Sequence, residues 1–99
     1  MSTDFTTLDG TLRIDPAHPA LPGHFPGDPI VPGVVLLDHV AARLEGVGFS
    51  VAKLSMVKFL APLRPGEAAV LSFHGDAARL RFRVDRDGTP ILHGEAVLA

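Results

Sequence analysis

The sequence predicts an α+β domain in which one helix packs on an antiparallel sheet of about five strands. Three observations predict this class. The apolar segment 34–44 has helical spacing and directly follows Pro32-Gly33. Four later segments have the alternation or β-branched content of strands. Between the last two of them, Asp87-Gly88 is typical of a two-residue hairpin turn.

Length and composition limit the possible architectures and partners. A chain of 99 residues is the size of one small domain with one core, here residues 1–99. A lone domain of this size is marginally stable, so we expect at least a dimer. The formal net charge of −2 provides no overall basic field for nucleic acid or an anionic membrane.

Several classes of protein are disfavoured by what the sequence contains. The chain has no cysteine, which argues against disulfides and thiolate chemistry. Its first ten residues lack the basic-then-apolar pattern of a secretion signal. The longest aliphatic run is far shorter than the ~18 residues of a membrane span. We therefore expect a soluble cytoplasmic protein that acts on neither membrane nor nucleic acid.

The central helix is predicted at about 34–45. Pro32 suits a helix start because its missing N–H would be unpaired there, and Gly46 and Gly48 suit a stop. At about 100° per residue, one broad apolar arc is expected to form the core contact: Leu36, Val40, Leu44, Leu37, Ala41 and Val34. Asp38 lies on the opposite side, where a solvated polar face explains it without any function.

The remaining segments are expected to form strands. Residues 5–14 predict one short strand or a bent pair, and the later strands are predicted at 49–60, 67–74, 77–86 and 89–98, mostly as an antiparallel meander. Gly75-Asp76 is a second plausible turn. Arginines at 79, 81 and 83 alternate with Leu80, Phe82 and Val84, so they share the face turned away from the helix. Solvation explains them, and an anionic partner such as a carrier protein is the alternative.

A proline-rich loop precedes the helix and carries a specific motif. Six of the nine prolines fall between Asp15 and Gly33, a density that forbids helix and regular strand pairing. The run HFPGDPIVPGV at 24–34, followed by Leu37-Asp38, resembles the signature of bacterial 3-hydroxyacyl-acyl-carrier-protein dehydratases. A weaker similarity is VKFLAPLRPGE at 57–67. The resemblance implies a hot-dog fold, in which a sheet wraps one long helix and two subunits join their sheets.

Dehydration of a 3-hydroxyacyl thioester needs two proton-transfer groups and a donor to the thioester oxygen. The resemblance implies that His24 takes the C2 proton and that Asp38 of the other subunit donates to, or positions, the departing hydroxyl. An exposed carboxyl is ionised near neutral pH, so one that acts as an acid must be buried. The N–H of Gly33 at the positive end of the helix is well suited to the thioester oxygen.

The resemblance also implies the substrate contacts and the carrier. Residues expected to contact substrate are Phe25, Ile30, Pro32, Val34 and Phe59, with the Ile30 carbonyl also orienting His24. The acyl chain is expected on the phosphopantetheine of an acyl carrier protein, with no metal or redox cofactor. The other histidines show no metal-ligand spacing: His18, His39, His74 and His93.

Two departures keep alternatives open. The dehydratases usually have a glutamine four residues after the carboxylate, where this chain has Ala42. The dehydratases are also usually longer, with an N-terminal helix before the first strand that helps to close the acyl tunnel. Short relatives of this kind resemble dehydratases of polyene or pigment assembly, which also work as heterodimers. A homodimeric or heterodimeric dehydratase is therefore the leading hypothesis, followed by a non-catalytic partner subunit of the same fold and by a hot-dog thioesterase.

Overall fold

The computed structural model describes residues 5–18 and 30–99. Along the chain lie a 3-10 helix (Phe5–Leu8), β1 (Gly10–Leu12), α1 (Gly33–Glu45), β2 (Val51–Phe59), β3 (Ala69–Asp76), β4 (Arg79–Arg86) and β5 (Thr89–Leu98). The five strands form one antiparallel sheet in the order β1-β3-β4-β5-β2. Within the described residues, α1 is the one α-helix, and it packs on the inner face of this sheet. The predicted α+β hot-dog architecture is confirmed.

The limits of α1 follow from the residues that flank it. Pro32 is the N-cap, with φ −58° and ψ 139°, so the helix begins at Gly33, one residue before the predicted start. At the other end the Gly46 N–H still donates to the Ala42 carbonyl. The left-handed conformation that ends the turn is at Gly48, with φ +98°. No described helix is long and apolar enough to cross a membrane.

The buried side of α1 is rotated from the predicted arc. Its buried residues are Val35, Leu36, Val40 and Leu44. The placement of Val34 in the core was wrong, because Val34 is 64% exposed and Val35 packs inward instead. Helical periodicity defines only the angles between side chains, and the sheet selects which part of a broad apolar arc is covered. Asp38 and Ala42 are exposed, as predicted.

The N-terminal segment and one turn differ from the predictions. Residues 5–8 form a 3-10 helix rather than a strand, because the Phe5 ring turns inward to pack on Phe49 with centroids 5.1 Å apart. The turn predicted at Gly75-Asp76 lies two residues later, since the Asp76 carboxylate accepts the N–H groups of Ala78 and Arg79.

The hairpin and the alternation in β4 are confirmed. Asp87 and Gly88 have φ of +50° and +77°, both positive as in a type I′ turn. Leu80, Phe82 and Val84 are buried beneath the helix, and the arginines between them are exposed on the outer face.

The order of the strands departs from a simple meander. The segments β3-β4-β5 do follow one another, but β2 returns to pair with β5 and becomes an edge of the sheet. This brings the end of β2 next to the start of α1, where the candidate site lies.

Candidate functional site

The chain enters α1 through a segment anchored to the connection between β2 and β3. The Val31 N–H donates to the Leu63 carbonyl at 2.8 Å, and both side chains are buried. Ile30 and Pro32 on either side are half-buried. This anchor fixes the direction in which α1 starts.

The Phe59 ring lies directly against the backbone of Gly33. A Cβ built on Gly33 would be 2.6 Å from both Cε1 and Cζ of Phe59, so only glycine permits this approach. Phe59 is nevertheless 55% exposed, because it is the last residue of an edge strand. The thioester was expected to approach the Gly33 backbone closely. On the side where a Cβ would lie, the Phe59 ring occupies that space instead.

The first turn of α1 remains a hydrogen-bond donor. The first N–H groups of an α-helix have no acceptor in a preceding helical turn. Here the Val35 N–H donates to the Pro32 carbonyl at 3.0 Å, and Pro32 provides no side-chain hydrogen bond to cap α1. The helix dipole adds partial positive charge at this end. The N–H of Gly33 therefore remains suited to an anionic oxygen that approaches along the helix axis.

Asp38 lies on an exposed strip of α1. Val34 precedes it by one turn and Ala42 follows by one turn, and all three residues are exposed. Five residues separate Gly33 from Asp38, which corresponds to ~7.5 Å along the axis and ~140° around it. In a single chain Asp38 therefore faces solvent, and the burial required of a carboxylic acid must come from another surface.

The remaining predicted site residues are divided between two parts of the chain. His24 and Phe25 lie outside the described residues. The structure does bring together Pro32, Gly33 and Phe59, which sequence reasoning placed in one site from distant segments.

In the described ranges no group of three or more histidine, aspartate or glutamate residues could hold a metal ion. The expectation of a reaction without metal or redox cofactor stays a prediction.

Sequence reasoning missed the irregularity in β2 that aims Phe59 at the helix. Met56 has a φ of +54°, and the pairing with β5 shifts between Ser55 and Lys58. Such a bulge re-aims the side chains that follow it. As a result Lys58 pairs with His93 on the outer face, and Phe59 is directed to the helix side. A positive φ at methionine has no sequence signal.

Arg43 is a second residue whose role was not anticipated. Its guanidinium donates to the carbonyl oxygens of Leu8 at 2.9 Å and Thr11 at 3.2 Å. These contacts fasten the last turn of α1 to the N-terminal segment. Basic residues are common in the last turn of a helix because they interact favourably with the helix dipole. The position of Arg43 in the sequence therefore does not predict that it binds the N-terminal segment.

Comparisons with known proteins agree with this architecture. The family model named ApeI-like, described as ApeI dehydratase, matches residues 1–95. The 3-hydroxyacyl-acyl-carrier-protein dehydratase FabZ of Syntrophobacter fumaroxidans is 31% identical over 73 residues, which cover 63% of this chain and 50% of the relative. FabZ of Pasteurella multocida is 31% identical over 78 residues, which cover 68% of this chain and 51% of that relative. The chain spans about half the length of the curated relatives it matches.

Solved structures match over most of the chain. The dehydratase heterocomplex ApeI:P from Xenorhabdus doucetiae contains a chain with a TM-score of 0.74 and 35% identity, covering 92% of this chain and 85% of that one. An uncharacterised protein from Erwinia carotovora subsp. atroseptica matches with a TM-score of 0.71 and 27% identity. The match covers 92% of this chain and 81% of that one.

Proposed function

Because the chain belongs to the ApeI-like dehydratase family, we propose that it is a catalytic subunit of a dimeric dehydratase acting on 3-hydroxyacyl thioesters. The acyl chain would be carried by an acyl carrier protein, as the names of the FabZ relatives indicate for those proteins. The observation that carries the proposal is the exposed strip of Val34, Asp38 and Ala42 on the same helix whose start is bordered by Phe59. It is half of a site that a second subunit would close.

The proposed reaction removes one molecule of water. A base takes the C2 proton, the electron pair of that C–H bond forms the C2=C3 double bond, and the C3–O bond breaks. The hydroxyl leaves with a proton from an acid, so a 2-enoyl thioester and water result. His24 would act as the base, and Asp38 of the partner subunit would donate to, or position, the hydroxyl.

The start of α1 would stabilise the negative charge that develops on the thioester oxygen. The N–H of Gly33 is the proposed donor, since it lies at the positive end of the helix. Phe59 covers one side of Gly33, so the thioester would approach along the helix axis. Phe25, Ile30, Pro32, Val34 and Phe59 would contact the pantetheine or acyl chain.

The free edge of β2 supports association with a second hot-dog subunit. This nine-residue strand pairs with β5 on one side and forms an edge of the sheet. Met56 and Leu60 near its end are 74% and 51% exposed. A long edge strand with exposed apolar residues tends to be covered by another chain. A partner strand here would also shield the exposed strip around Asp38.

A non-catalytic partner role is the second candidate, and Ala42 favours it. Ala42 lies one turn after Asp38 on the same strip, where the dehydratases usually have a glutamine. The similar Xenorhabdus structure is a dehydratase heterocomplex. In such an assembly this chain would cover the active residues of its partner.

The test is a mass measurement on carrier-bound substrate. The purified chain, alone and with a second hot-dog subunit, is incubated with 3-hydroxyacyl carrier protein, and loss of water is followed by intact mass spectrometry. Asp38→Asn should lower the rate by a factor on the order of 10²–10⁴. Glu45→Gln is the matched control, because Glu45 is an exposed carboxylate farther along α1 and should leave the rate unchanged.

The alternative roles give different results in the same assay. If Asp38→Asn keeps full activity in a complex whose partner supplies catalysis, this chain is the non-catalytic subunit. Release of free thiol with no enoyl product would identify a thioesterase. Mixing His24→Ala with Asp38→Asn subunits should restore one intact site per mixed dimer; verified mixed dimers that stay inactive would refute a site shared between subunits.

A further inference from the structure

The connection between β2 and β3, residues 60–68, holds the start of α1 through one peptide group. The Leu63 carbonyl accepts the Val31 N–H at 2.8 Å, two residues before α1 begins. That carbonyl lies in the same planar peptide group as the Arg64 N–H, because one peptide bond joins the two residues. Any contact that fixes the Arg64 N–H therefore also fixes the carbonyl that binds Val31.

The Glu67 carboxylate binds the other side of this peptide group. Its Oε1 accepts the Arg64 N–H at 2.6 Å, and the Glu67 N–H donates to the Arg64 carbonyl at 3.1 Å. A carboxylate makes a shorter and stronger hydrogen bond than a neutral acceptor does. Hydrogen bonds that share one peptide group also polarise each other, so the charge of Glu67 strengthens the bond between Val31 and Leu63.

Arg86 adds a second support from the end of β4. Its Nη1 atom donates to the Pro62 carbonyl at 2.7 Å and to Oε1 of Glu67 at 3.2 Å. The Pro62 carbonyl belongs to the peptide group before Leu63, so the peptide groups on both sides of Leu63 are held. The Arg86 side chain is 22% exposed, against 54–69% for the other paired arginines of β4, so solvent screens this pair less.

The turn that carries Glu67 is fixed independently of α1. Gly66 has a φ of +83°, a left-handed conformation that glycine adopts without strain. Its N–H donates to the Ile14 carbonyl at 2.8 Å, and its own carbonyl accepts Nε–H of Arg13 at 2.8 Å. Both backbone groups of Gly66 are thus bound to the N-terminal segment. Glu67 therefore supports the Leu63 peptide group from a rigid base.

Little conformational freedom remains between Val31 and the proposed donor of the site. The Pro32 ring fixes its own φ, here at −58°. The Pro32 carbonyl accepts the Val35 N–H at 3.0 Å, which restrains the other side of this residue. The position of Val31 therefore determines where the Gly33 N–H points, and a shift of the Leu63 carbonyl would be transmitted to it.

We propose that Glu67 and Arg86 are positioning residues for the candidate site, which hold the Leu63 peptide group so that the Gly33 N–H is aimed at the thioester oxygen. The inference rests on the proposed function for the identity of that oxygen. Neither side chain takes part in the reaction, because each acts through Leu63 and Val31. A displaced donor loses most in the transition state, where the negative charge on the oxygen develops, so kcat should fall while KM is nearly unchanged.

Three variants separate this role from a general effect on stability. Glu67→Ala removes the acceptor of the Arg64 N–H, whereas Glu67→Gln keeps a neutral oxygen of equal reach. Glu95→Ala is the matched control, because Glu95 is a similarly half-buried carboxylate paired with two arginines of β4. Glu95 lies on the outer face of the sheet, away from the start of α1.

The first measurement is hydrogen exchange of the Val31 amide in the full chain, followed by nuclear magnetic resonance. This amide should exchange about tenfold faster in Glu67→Ala, because local opening becomes easier when the Leu63 carbonyl is less restrained. Its exchange should be close to that of the wild type in Glu67→Gln and unchanged in Glu95→Ala. Amides in the centre of β4 should keep their protection in every variant, which shows that the fold is intact.

The second measurement is the rate of dehydration of 3-hydroxyacyl carrier protein, for the full chain alone and with a second hot-dog subunit. Glu67→Ala should lower kcat about tenfold and change KM by less than about twofold, a smaller loss than the ~10²–10³ that follows removal of a donor itself. Glu67→Gln should recover most of this rate. Arg86→Gln releases the Pro62 carbonyl but leaves Glu67 bound to the Arg64 N–H, so it provides a milder test if Glu67→Ala does not fold.

The two measurements distinguish the ways in which the inference can fail. Unchanged Val31 exchange in both Glu67→Ala and Arg86→Gln would refute the positioning role, whatever the activity. Faster exchange with an unchanged kcat in an active enzyme would refute it too, since the helix start would then not depend on this support for catalysis. Equal effects in Glu95→Ala would show a general loss of stability and overturn it. A wild type that does not dehydrate the substrate would instead defeat the proposed function, and Val31 exchange would still decide whether Glu67 holds the helix start.

Discussion

The substitution Gly94→Ala tests whether the packing that shapes the site strand is as tight as the structure indicates. Gly94 is buried on β5, directly paired with Phe82 on β4 and beside the bulge of β2. A Cβ at this position would lie 2.7 Å from Cζ of Phe82 and 3.1 Å from both the Ser55 carbonyl oxygen and Cγ2 of Val57. The aromatic ring therefore occupies the space of the missing side chain.

The expected cost follows from how little these neighbours can move. Carbon atoms prefer separations of ~3.5–4.0 Å, so the new methyl overlaps the ring by nearly 1 Å. Phe82 is only 1% exposed and cannot swing into solvent. Overpacking of this kind costs about 1–3 kcal/mol, and a rigid neighbour argues for the upper half. Replacing a strand glycine by alanine returns about 0.5–1 kcal/mol, so we expect a net loss of about 2 kcal/mol.

The assay is thermal unfolding followed by far-UV circular dichroism, because the chain has neither tryptophan nor tyrosine for fluorescence. A loss of about 2 kcal/mol should lower Tm by roughly 8–16 °C in a domain of this size. Protein concentration is held constant, since association shifts Tm. The control is Gly88→Ala, where φ is +77° and no atom lies within 4 Å, so only backbone strain of about 1 kcal/mol is expected.

A double-mutant cycle separates steric overlap from backbone effects. Phe82→Leu removes the overlapping ring atom, so Gly94→Ala made in that background should cost less than about 0.5 kcal/mol. The coupling between the two positions should therefore be about 1.5–2 kcal/mol, and Gly88→Ala should show none. An unchanged Tm for Gly94→Ala, or a cost that persists with Leu at position 82, would show that this packing argument is wrong.

Two further substitutions test other contacts by the same unfolding measurement. Among the glycines that the structure describes, Gly75→Ala should be the most damaging substitution, at about 3 kcal/mol or more, because φ is +108° and a Cβ would collide with the Arg79 carbonyl oxygen. A folded variant with a Tm near that of the wild type would contradict this. Arg43→Met should cost about 1–2 kcal/mol through loss of the bonds to the carbonyls of Leu8 and Thr11, and Arg43→Lys should recover only part, since lysine cannot bind both. If Arg43→Met is as stable as the wild type, these two hydrogen bonds do not hold α1 to the N-terminal segment.

Local chemistry was sufficient to predict α1, the four later strands and the last hairpin, although not the 3-10 helix at Phe5–Leu8. Pro32 sets the start of α1 to within one residue of the prediction, and Gly48 supplies the left-handed conformation after its last turn, because each acts on the backbone conformation at its own position. Asp87-Gly88 forms its turn for the same reason. The arginines of β4 lie on the outer face because strand alternation depends only on neighbouring residues.

The motif in the sequence also identified the family, and it selected residues that the fold brings together. Gly33 and Phe59 belong to different motifs, and the structure places the ring of one against the backbone of the other. The roles of His24 and Asp38 stay predictions, because they concern a partner subunit and a substrate as much as this chain.

Tertiary structure alone decided which surfaces face each other. Val34 and Val35 are equivalent in sequence chemistry, and the sheet position determined that Val35 is buried. The positive φ of Met56 and the edge position of β2 depend on pairing with β5, a segment more than thirty residues away along the chain. Periodicity and turn chemistry act over a few residues, whereas strand order, side-chain contacts across elements and the exposure of an edge arise only when distant segments pack.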